Sequence, residues 1–149
     1  MQAVIFIGIQ GAGKSTFYRE NFLDTHIRIN LDMLKTRYRE KLIFQACLEA
    51  KQRFVIDNTN PTIEDRQRYI IPAKEKDFQI LAYYFNSELE DCKQRNSQRE
   101  EKKVIPLVGI LSTYKKLVIP SYAEGFDVIY SVKTHPDYSF TVEEWKREI

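Results

Sequence analysis

The strongest constraint on this chain is a glycine-rich segment near its start. Residues Gly8–Ser15 read Gly-Ile-Gln-Gly-Ala-Gly-Lys-Ser and match the pattern G-x-x-x-x-G-K-[ST] at every defined position. The segment follows an apolar run, Ala3–Ile7, and precedes a stretch of helical character, Ser15–Phe22. In a strand, loop and helix of this kind, backbone N–H groups and the helix N-terminus surround a phosphate. The sequence therefore predicts a phosphate-binding loop.

The residue types in this loop predict how a nucleotide would be held. The additional glycine, Gly11, keeps the loop free of side chains where the backbone wraps a phosphate. Lys14 is expected to reach the β- and γ-phosphates of ATP, and the Ser15 hydroxyl to ligate Mg²⁺. The alternative is a glycine-rich turn with an incidental lysine. The predicted nucleotide-binding residues are Gly8, Gly11, Ala12, Gly13, Lys14, Ser15, Thr16 and Arg95.

Five short apolar, β-branched or aromatic runs predict strands, and the segments between them predict helices. The runs are Ala3–Ile7, His26–Asn30, Phe54–Asp57, Ile80–Phe85 and Val128–Val132. Strands that alternate with helices indicate βαβ units and a parallel sheet. We therefore expect an α/β fold of the P-loop NTPase class, with a central parallel five-stranded sheet and helices on both faces. We expect one domain over residues 1–149.

Composition excludes several classes of protein. Hydrophobic residues make up 43% of the 149, enough to bury a core without cross-links, and Cys47 and Cys92 imply no disulfide framework. The net charge of +2 does not by itself indicate a nucleic-acid binder. No apolar run approaches the roughly 18 residues of a membrane span, and the start lacks the basic region of a signal peptide. We expect a cytoplasmic protein, or a nuclear one in a eukaryote, with no membrane partner.

Local signals predict where several helices begin. Thr62–Asp65 and Ser87–Glu90 each place a hydroxyl residue three positions before an acid, which is the pattern of a capping box. Pro106 is expected to open a further helix over 106–116. Arg66 is interpreted as a surface charge on the helix that begins near Thr62. The segment after Val132 is expected to form a C-terminal helix packed on the sheet.

Polar residues follow the second and third predicted strands, at the sheet edge where open α/β sheets bind ligands. Asp32 could accept the proton of an attacking hydroxyl there, although it also fits the N-cap of the next helix. Lys35 is expected to hold an anionic part of the acceptor. Asp57 is a second magnesium candidate, or else forms a turn. Asn58 and Asn60 are candidates for positioning substrate.

A basic segment in the second half of the chain predicts a lid over about 87–118. Arg95 and Arg99 are four residues apart on the helix expected to begin at Ser87, so they share one face. Arginines on a lid can neutralise charge on a transferred phosphoryl group. A solvated surface is the alternative. The basic residues are Lys93, Arg95, Arg99, Lys102, Lys103, Lys115 and Lys116.

Together these motifs resemble those of the 5′-hydroxyl polynucleotide kinases, in particular the kinase domain of polynucleotide kinase/phosphatase. The resemblance follows the family's order over nearly the whole chain. It implies that Asp32 is the general base, that Lys14 contacts the phosphates of ATP and that Arg99 acts on the transferred group. The motifs are Gly8–Thr16, Asn30–Asp32, Asp57–Pro61, Arg95–Arg99, Ile105–Pro106 and Ile119–Phe126.

Two departures from the family pattern concern the acceptor. The family commonly has Asn-Arg-Asp at Asn30–Asp32, and Lys35 stands where phage members use an arginine to hold the nucleic-acid phosphate. No Asp-x-Asp-Gly-Thr phosphatase motif occurs, so we expect a kinase module alone. We expect an ATP- and Mg²⁺-dependent kinase whose leading acceptor is the 5′-OH end of a nucleic acid. The alternatives are a small-molecule kinase for sugars, nucleosides or antibiotics, and a nucleotide-gated binding module.

Overall fold

A six-stranded sheet forms the centre of the molecule. The computed structural model describes residues 1–101 and 104–146, so Lys102 and Lys103 of the basic segment lie outside the described residues. The order across the sheet is β2-β3-β1-β4-β5-β6. The strands are β1 (Gln2–Ile7), β2 (Ile27–Ile29), β3 (Phe54–Ile56), β4 (Gln79–Phe85), β5 (Val128–Thr134) and β6 (Phe140–Trp145).

The first five strands are parallel, as predicted, but the sheet has one strand more than expected. β6 pairs antiparallel with β5, so the expected five-stranded, wholly parallel sheet is wrong in its count and at its edge. The expected C-terminal helix is also wrong. After β5 the chain reverses in a turn where the His135 N–H donates to the Ser139 carbonyl at 2.9 Å and Tyr138 has φ 65°. This turn returns the chain along β5 as a hairpin.

In the described part of the chain six α-helices connect the strands, and two of the three predicted helix starts are confirmed. Thr62 and Asp65 form the predicted capping box, and the last helix begins directly after Pro106. The predicted cap at Ser87 is wrong: its N–H donates to the Phe85 carbonyl in the turn that leaves β4, and Glu88 precedes the helix. The helices are α1 (Lys14–Asn21), α2 (Leu31–Leu34), α3 (Arg37–Ala50), α4 (Ile63–Glu75), α5 (Leu89–Ser97) and α6 (Leu107–Lys116).

Helices cover both faces of the sheet, as the apolar runs predicted. Along β1, Ala3, Ile5 and Ile7 face a core built with α3 and α4. Val4 and Phe6 face the opposite core, which α1, α5 and α6 complete. Because both faces are buried, the strand needs apolar residues at every position rather than at alternate ones. Among the helices of the described chain, none is long and apolar enough to cross a membrane.

Arg66 is buried, which contradicts its interpretation as a surface charge. Its guanidinium donates to both carboxylate oxygens of Glu124 at 3.0 Å and to the Asn60 carbonyl at 3.0 Å. A buried charge needs partners of this kind, because desolvation would otherwise disfavour it. The contacts fix α4 to a 3₁₀ turn, Tyr122–Glu124, and to the segment after β3.

Candidate active site

The loop between β1 and α1 presents unpaired backbone donors on its inner side. Gly11 and Gly13 have φ of 79° and 96°, and a Cβ on Gly11 would lie 2.3 Å from the Cys92 carbonyl oxygen. Their N–H groups donate to no acceptor among the described residues. The N–H groups that follow belong to the first turn of α1, where a helix leaves its donors unpaired. Such a loop suits an anion.

The ammonium group of Lys14 lies inside this loop. Its Nζ donates to the carbonyl oxygens of Gly8 and Ile9, at 2.8 Å each. Burial lowers the pKa of Lys14 to about 8, while the charge of Asp57 acts in the opposite direction. The charges of Arg99, which lowers this pKa, and Asp32, which raises it, also reach the lysine. Lys14 therefore carries a charge that an added anion would stabilise.

A cavity of about 360 Å³ opens in front of the loop, at the carboxyl ends of β2 and β3. Its volume falls in the range of small-molecule sites. Ten of the predicted site residues line it, and four do not. The ten are Gly11, Ala12, Gly13, Lys14, Ser15, Asp32, Asp57, Asn58, Asn60 and Arg99.

The four predicted residues outside the cavity have other surroundings. The Gly8 N–H donates to the Thr59 carbonyl at 3.0 Å, and the Thr16 hydroxyl accepts from Arg19. Arg95 lies behind the loop, where it donates to the carbonyls of Gly11 and Thr134 at 3.2 Å each. Lys35 has φ 74° just after α2, where its N–H donates to the Leu31 carbonyl and ends the helix. The four are Gly8, Thr16, Lys35 and Arg95.

Asp32 lies in the second position of the short helix α2 and faces the cavity. The N-cap of α2 is Asn30, whose side-chain oxygen accepts from the Met33 N–H at 2.9 Å. The N-cap alternative for Asp32 is therefore wrong. The Asn30 amide also donates to the Asp57 carbonyl at 2.6 Å, which joins α2 to the end of β3. The Asp32 carboxylate is left exposed in the cavity wall.

A buried carboxylate, Glu40, fixes the same wall from behind. Its two oxygens accept from Tyr69 Oη at 2.8 Å, from Arg37 Nη1 at 2.9 Å and from Asn58 Nδ2 at 2.9 Å. Asn58 in turn accepts from the Leu31 N–H at 2.9 Å, at the start of α2. Burial, reinforced by Glu40, raises the pKa of Tyr69 to about 12. Both ends of the Asn58 amide are thus engaged within the protein.

Sequence reasoning missed Arg37, which lines the cavity in the place expected for Lys35. Half of its side chain is exposed, and within the described part of the chain only Nη1 donates hydrogen bonds, to Glu40 and Tyr69. The remaining guanidinium donors are available to an anion. The signal that could have located it is Thr36, which caps α3 through the Arg39 N–H and so places Arg37 in the first turn.

Ser15 and Asp57, the two predicted magnesium ligands, lie side by side. Ser15 Oγ is 3.3 Å from Asp57 Oδ2, and both residues line the cavity next to the loop. Hydroxyl and carboxylate oxygens suit Mg²⁺, which usually keeps several waters and takes phosphate oxygens as further ligands. Within residues 1–101 and 104–146 no cluster of three His, Cys, Asp or Glu residues could hold a metal. The oxygens of Ser15 and Asp57 are of the kind that a magnesium ion takes as ligands.

The far side of the cavity is lined by Arg99, which follows the end of α5, by Ile105, and by Thr113 and Lys116 of α6. The Asn96 side chain donates to the Ile105 carbonyl at 2.8 Å and accepts from the Ile105 N–H at 3.0 Å, which joins the two helices. Gln10 in the loop donates to Thr113 in α6 at 3.1 Å. Arg99 and Lys116 bring two positive charges to this wall.

Comparison with known proteins agrees with this architecture. A family described as AAA domain matches residues 35–107. Kti12 from Chaetomium thermophilum, solved in complex with ADP-AlF3, has a TM-score of 0.68 at 13% identity and covers 91% of this chain and 92% of its own. A gluconokinase from Sinorhizobium meliloti 1021 has a TM-score of 0.61 at 13% identity, with 89% and 82% covered. The chain has the fold of the P-loop kinases.

The sequence resemblance to polynucleotide kinases is also confirmed. A bifunctional polynucleotide phosphatase/kinase from Schizosaccharomyces pombe is 30% identical over 150 residues, which include 97% of this chain. The chain spans about 37% of the length of that relative. The likeness to this relative extends over nearly the whole of this chain.

Proposed function

We propose that this protein is an ATP- and Mg²⁺-dependent kinase that phosphorylates the 5′-OH end of a nucleic acid. One observation carries the proposal: Lys14, Asp32 and Arg99 line a single cavity in front of the phosphate-binding loop. A donor site, a carboxylate and a lid cation are the groups that phosphoryl transfer needs, since catalysis of this reaction is mostly positioning and charge stabilisation.

In the proposed reaction, the acceptor hydroxyl oxygen attacks the γ-phosphorus of ATP. The bond between this phosphorus and the β–γ bridging oxygen breaks, and ADP leaves with the bond's electron pair. Asp32 takes the proton of the hydroxyl as the new O–P bond forms. Lys14 and Arg99 compensate the negative charge on the phosphates and on the group in transfer. Ser15 and Asp57 would hold Mg²⁺ next to the phosphates, where the ion would supply further positive charge.

The acceptor wall supports an anionic rather than a neutral acceptor. Arg37 lines the cavity on the same side as Asp32, and Glu40 holds one of its nitrogens. An arginine fixed at one end can present its other donors to a phosphate in a bidentate manner. A phosphate next to the acceptor hydroxyl is a feature of a nucleic-acid end and is absent from a neutral sugar. We therefore assign to Arg37 the role that was expected of Lys35, which is to hold the anionic part of the acceptor.

We further propose that residues 1–149 form one kinase domain with a lid over about 87–118. The side-chain link between Asn96 and Ile105 makes α5 and α6 one unit, and the contact between Gln10 and Thr113 joins this unit to the loop. If the lid breaks the Gln10–Thr113 contact and closes on a bound nucleotide, it would bring Arg99 to the phosphates and exclude water from the site.

The direct test is transfer of labelled phosphate from [γ-³²P]ATP, with Mg²⁺, to a set of alcohols. The set contains a 5′-OH oligonucleotide, a nucleoside 3′-monophosphate, the matching nucleoside and several sugars. We expect transfer to the oligonucleotide and the 3′-monophosphate, and much less to the uncharged members. Transfer to sugars or nucleosides alone would replace this proposal with the small-molecule kinase. ATP binding without transfer to any acceptor would favour a nucleotide-gated binding module.

Arg37→Gln tests the acceptor site within the same assay. We expect the KM for the 3′-monophosphate acceptor to rise about 10-fold or more, because the variant loses a charge-assisted hydrogen bond to phosphate, while the KM for ATP is unchanged. The matched control is Arg39→Gln on the same helix, since Arg39 donates to the Leu34 carbonyl and does not line the cavity. If both variants change the KM for the acceptor equally, Arg37 contributes only a general surface charge and does not bind the acceptor phosphate.

A further inference from the structure

One arginine to which the sequence analysis assigned no role contacts both proposed magnesium ligands, Ser15 and Asp57. Arg28 lies in β2, and its Nε donates to Asp57 Oδ2 at 2.7 Å. Its Nη2 donates to Ser15 Oγ at 2.9 Å. One guanidinium therefore bridges the hydroxyl and the carboxylate that would face a metal ion.

We propose that Arg28 is a positioning residue which makes divalent-cation binding depend on the nucleotide. It holds Ser15 and Asp57 in place and neutralises the carboxylate, so that the protein alone binds Mg²⁺ weakly. The ion then enters with the phosphates of the nucleotide. This inference rests on the proposed nucleotide and magnesium site, and it extends that site to a residue outside the cavity.

The burial of the pair supports the proposal. The Asp57 side chain is 1% exposed, whereas that of Arg28 is 28% exposed. A buried carboxylate without a cation is strongly disfavoured, and Arg28 supplies that cation permanently. Arg28 donates to Asp57 Oδ2, which is also the oxygen that faces Ser15. A metal ion at this oxygen would therefore approach a carboxylate whose negative charge Arg28 already compensates.

Arg28 reaches Ser15 and Asp57 from β2 rather than from the cavity. Arg28 does not line the cavity, although Ser15 and Asp57 do. Its guanidinium comes from the β2 side and lies 6.0 Å from the centre of the Tyr18 ring, which belongs to α1. The residue therefore acts on the metal ligands from behind, and its effect should appear in metal binding rather than in contacts with the nucleotide.

The test measures binding of Mn²⁺ alone to the nucleotide-free protein, by electron paramagnetic resonance of the free ion. We expect weak binding to the wild type and at least about 10-fold tighter binding to Arg28→Gln, because the variant leaves the Asp57 charge uncompensated. The gain should disappear in the double variant Arg28→Gln/Asp57→Asn. Arg28→Lys, which keeps the charge, should stay close to the wild type.

The matched control is Arg53→Gln, which removes an exposed positive charge just before β3, at the opposite end of that strand from Asp57. An equal gain in this control, or no gain in Arg28→Gln, overturns the proposal. So does a gain that survives the Asp57→Asn change. A wild type that binds Mn²⁺ with a dissociation constant below about 0.1 mM without nucleotide also contradicts it, whatever the variants do. Since no phosphate transfer is measured, the result is separate from the test of kinase activity.

Discussion

At Lys14, a lowered pKa gives nucleotide binding a defined pH dependence. The lysine has a pKa of about 8 because burial disfavours its charge, and a phosphate beside it would favour that charge again. ADP affinity should therefore be at its full value below pH 8. It should fall as the pH rises above 8, by up to about 10-fold per pH unit, because the free protein has lost a proton that the complex needs.

Calorimetric titration with ADP between pH 7 and pH 9.5 measures this effect directly. In buffers of different ionisation enthalpy, the heats should reveal uptake of a proton above pH 8. Lys14→Met should bind more weakly and lose the pH dependence. A wild-type affinity that is flat over this interval would mean that the lysine does not meet the phosphates.

Among single residues, the loop could be predicted from the sequence, whereas the ion pairs of Arg66 and Arg28 could not. Gly11 and Lys14 act within one local segment whose spacing carries the information. Arg66 is buried and pairs with Glu124, 58 positions later, and the half-buried Arg28 pairs with Asp57, 29 positions later. A charge pattern read along the chain cannot reveal such partners, since only the folded topology brings them together.

At the scale of elements, Glu40 joins α3 to α4 and to the segment that carries Asp32. Glu40→Ala should lower the free energy of unfolding by about 1–3 kcal/mol, because Tyr69 and Asn58 lose a buried acceptor. The control on the same helix is Glu49→Ala, whose exposed partner is Lys76 and whose effect should stay within about 0.5 kcal/mol. Urea unfolding measures both, and equal effects would show that the Glu40 network adds no stability.

The five strands that could be predicted are apolar, β-branched or aromatic runs. β1 and β3 are continuous apolar runs, and every residue of β3 is buried. β6 escaped prediction because it is an edge strand with exposed residues at most positions, including two adjacent acids. Its partner is fixed by a turn and by packing, with Phe140 against Phe17 at a ring distance of 5.0 Å. Short, half-polar edge strands have no pattern that distinguishes them from a loop or helix.

On the scale of the whole molecule, the strand order creates the cavity. β1 lies next to β3, so the phosphate-binding loop after β1 and the polar segment after β3 meet at one edge of the sheet. β2 then places Asp32 on the flank of this edge, while Arg99 and the helix α6 line the opposite side. The sequence predicted the individual motifs and their side of the sheet. It did not predict that α2 ends before Lys35 and that α3 supplies Arg37 instead.

The central claim is that Asp32 faces a phosphate donor across this cavity and accepts the proton of the attacking hydroxyl. Asp32→Asn tests it most directly, with steady-state transfer and equilibrium ATP binding measured on the same preparation. The matched control is Asp24→Asn, which changes an exposed carboxylate outside the cavity. We predict a kcat lower by about 10²–10⁴ for Asp32→Asn, with ATP affinity unchanged and the control fully active. An unaltered kcat, or a loss of ATP binding equal to the loss of turnover, would contradict the account.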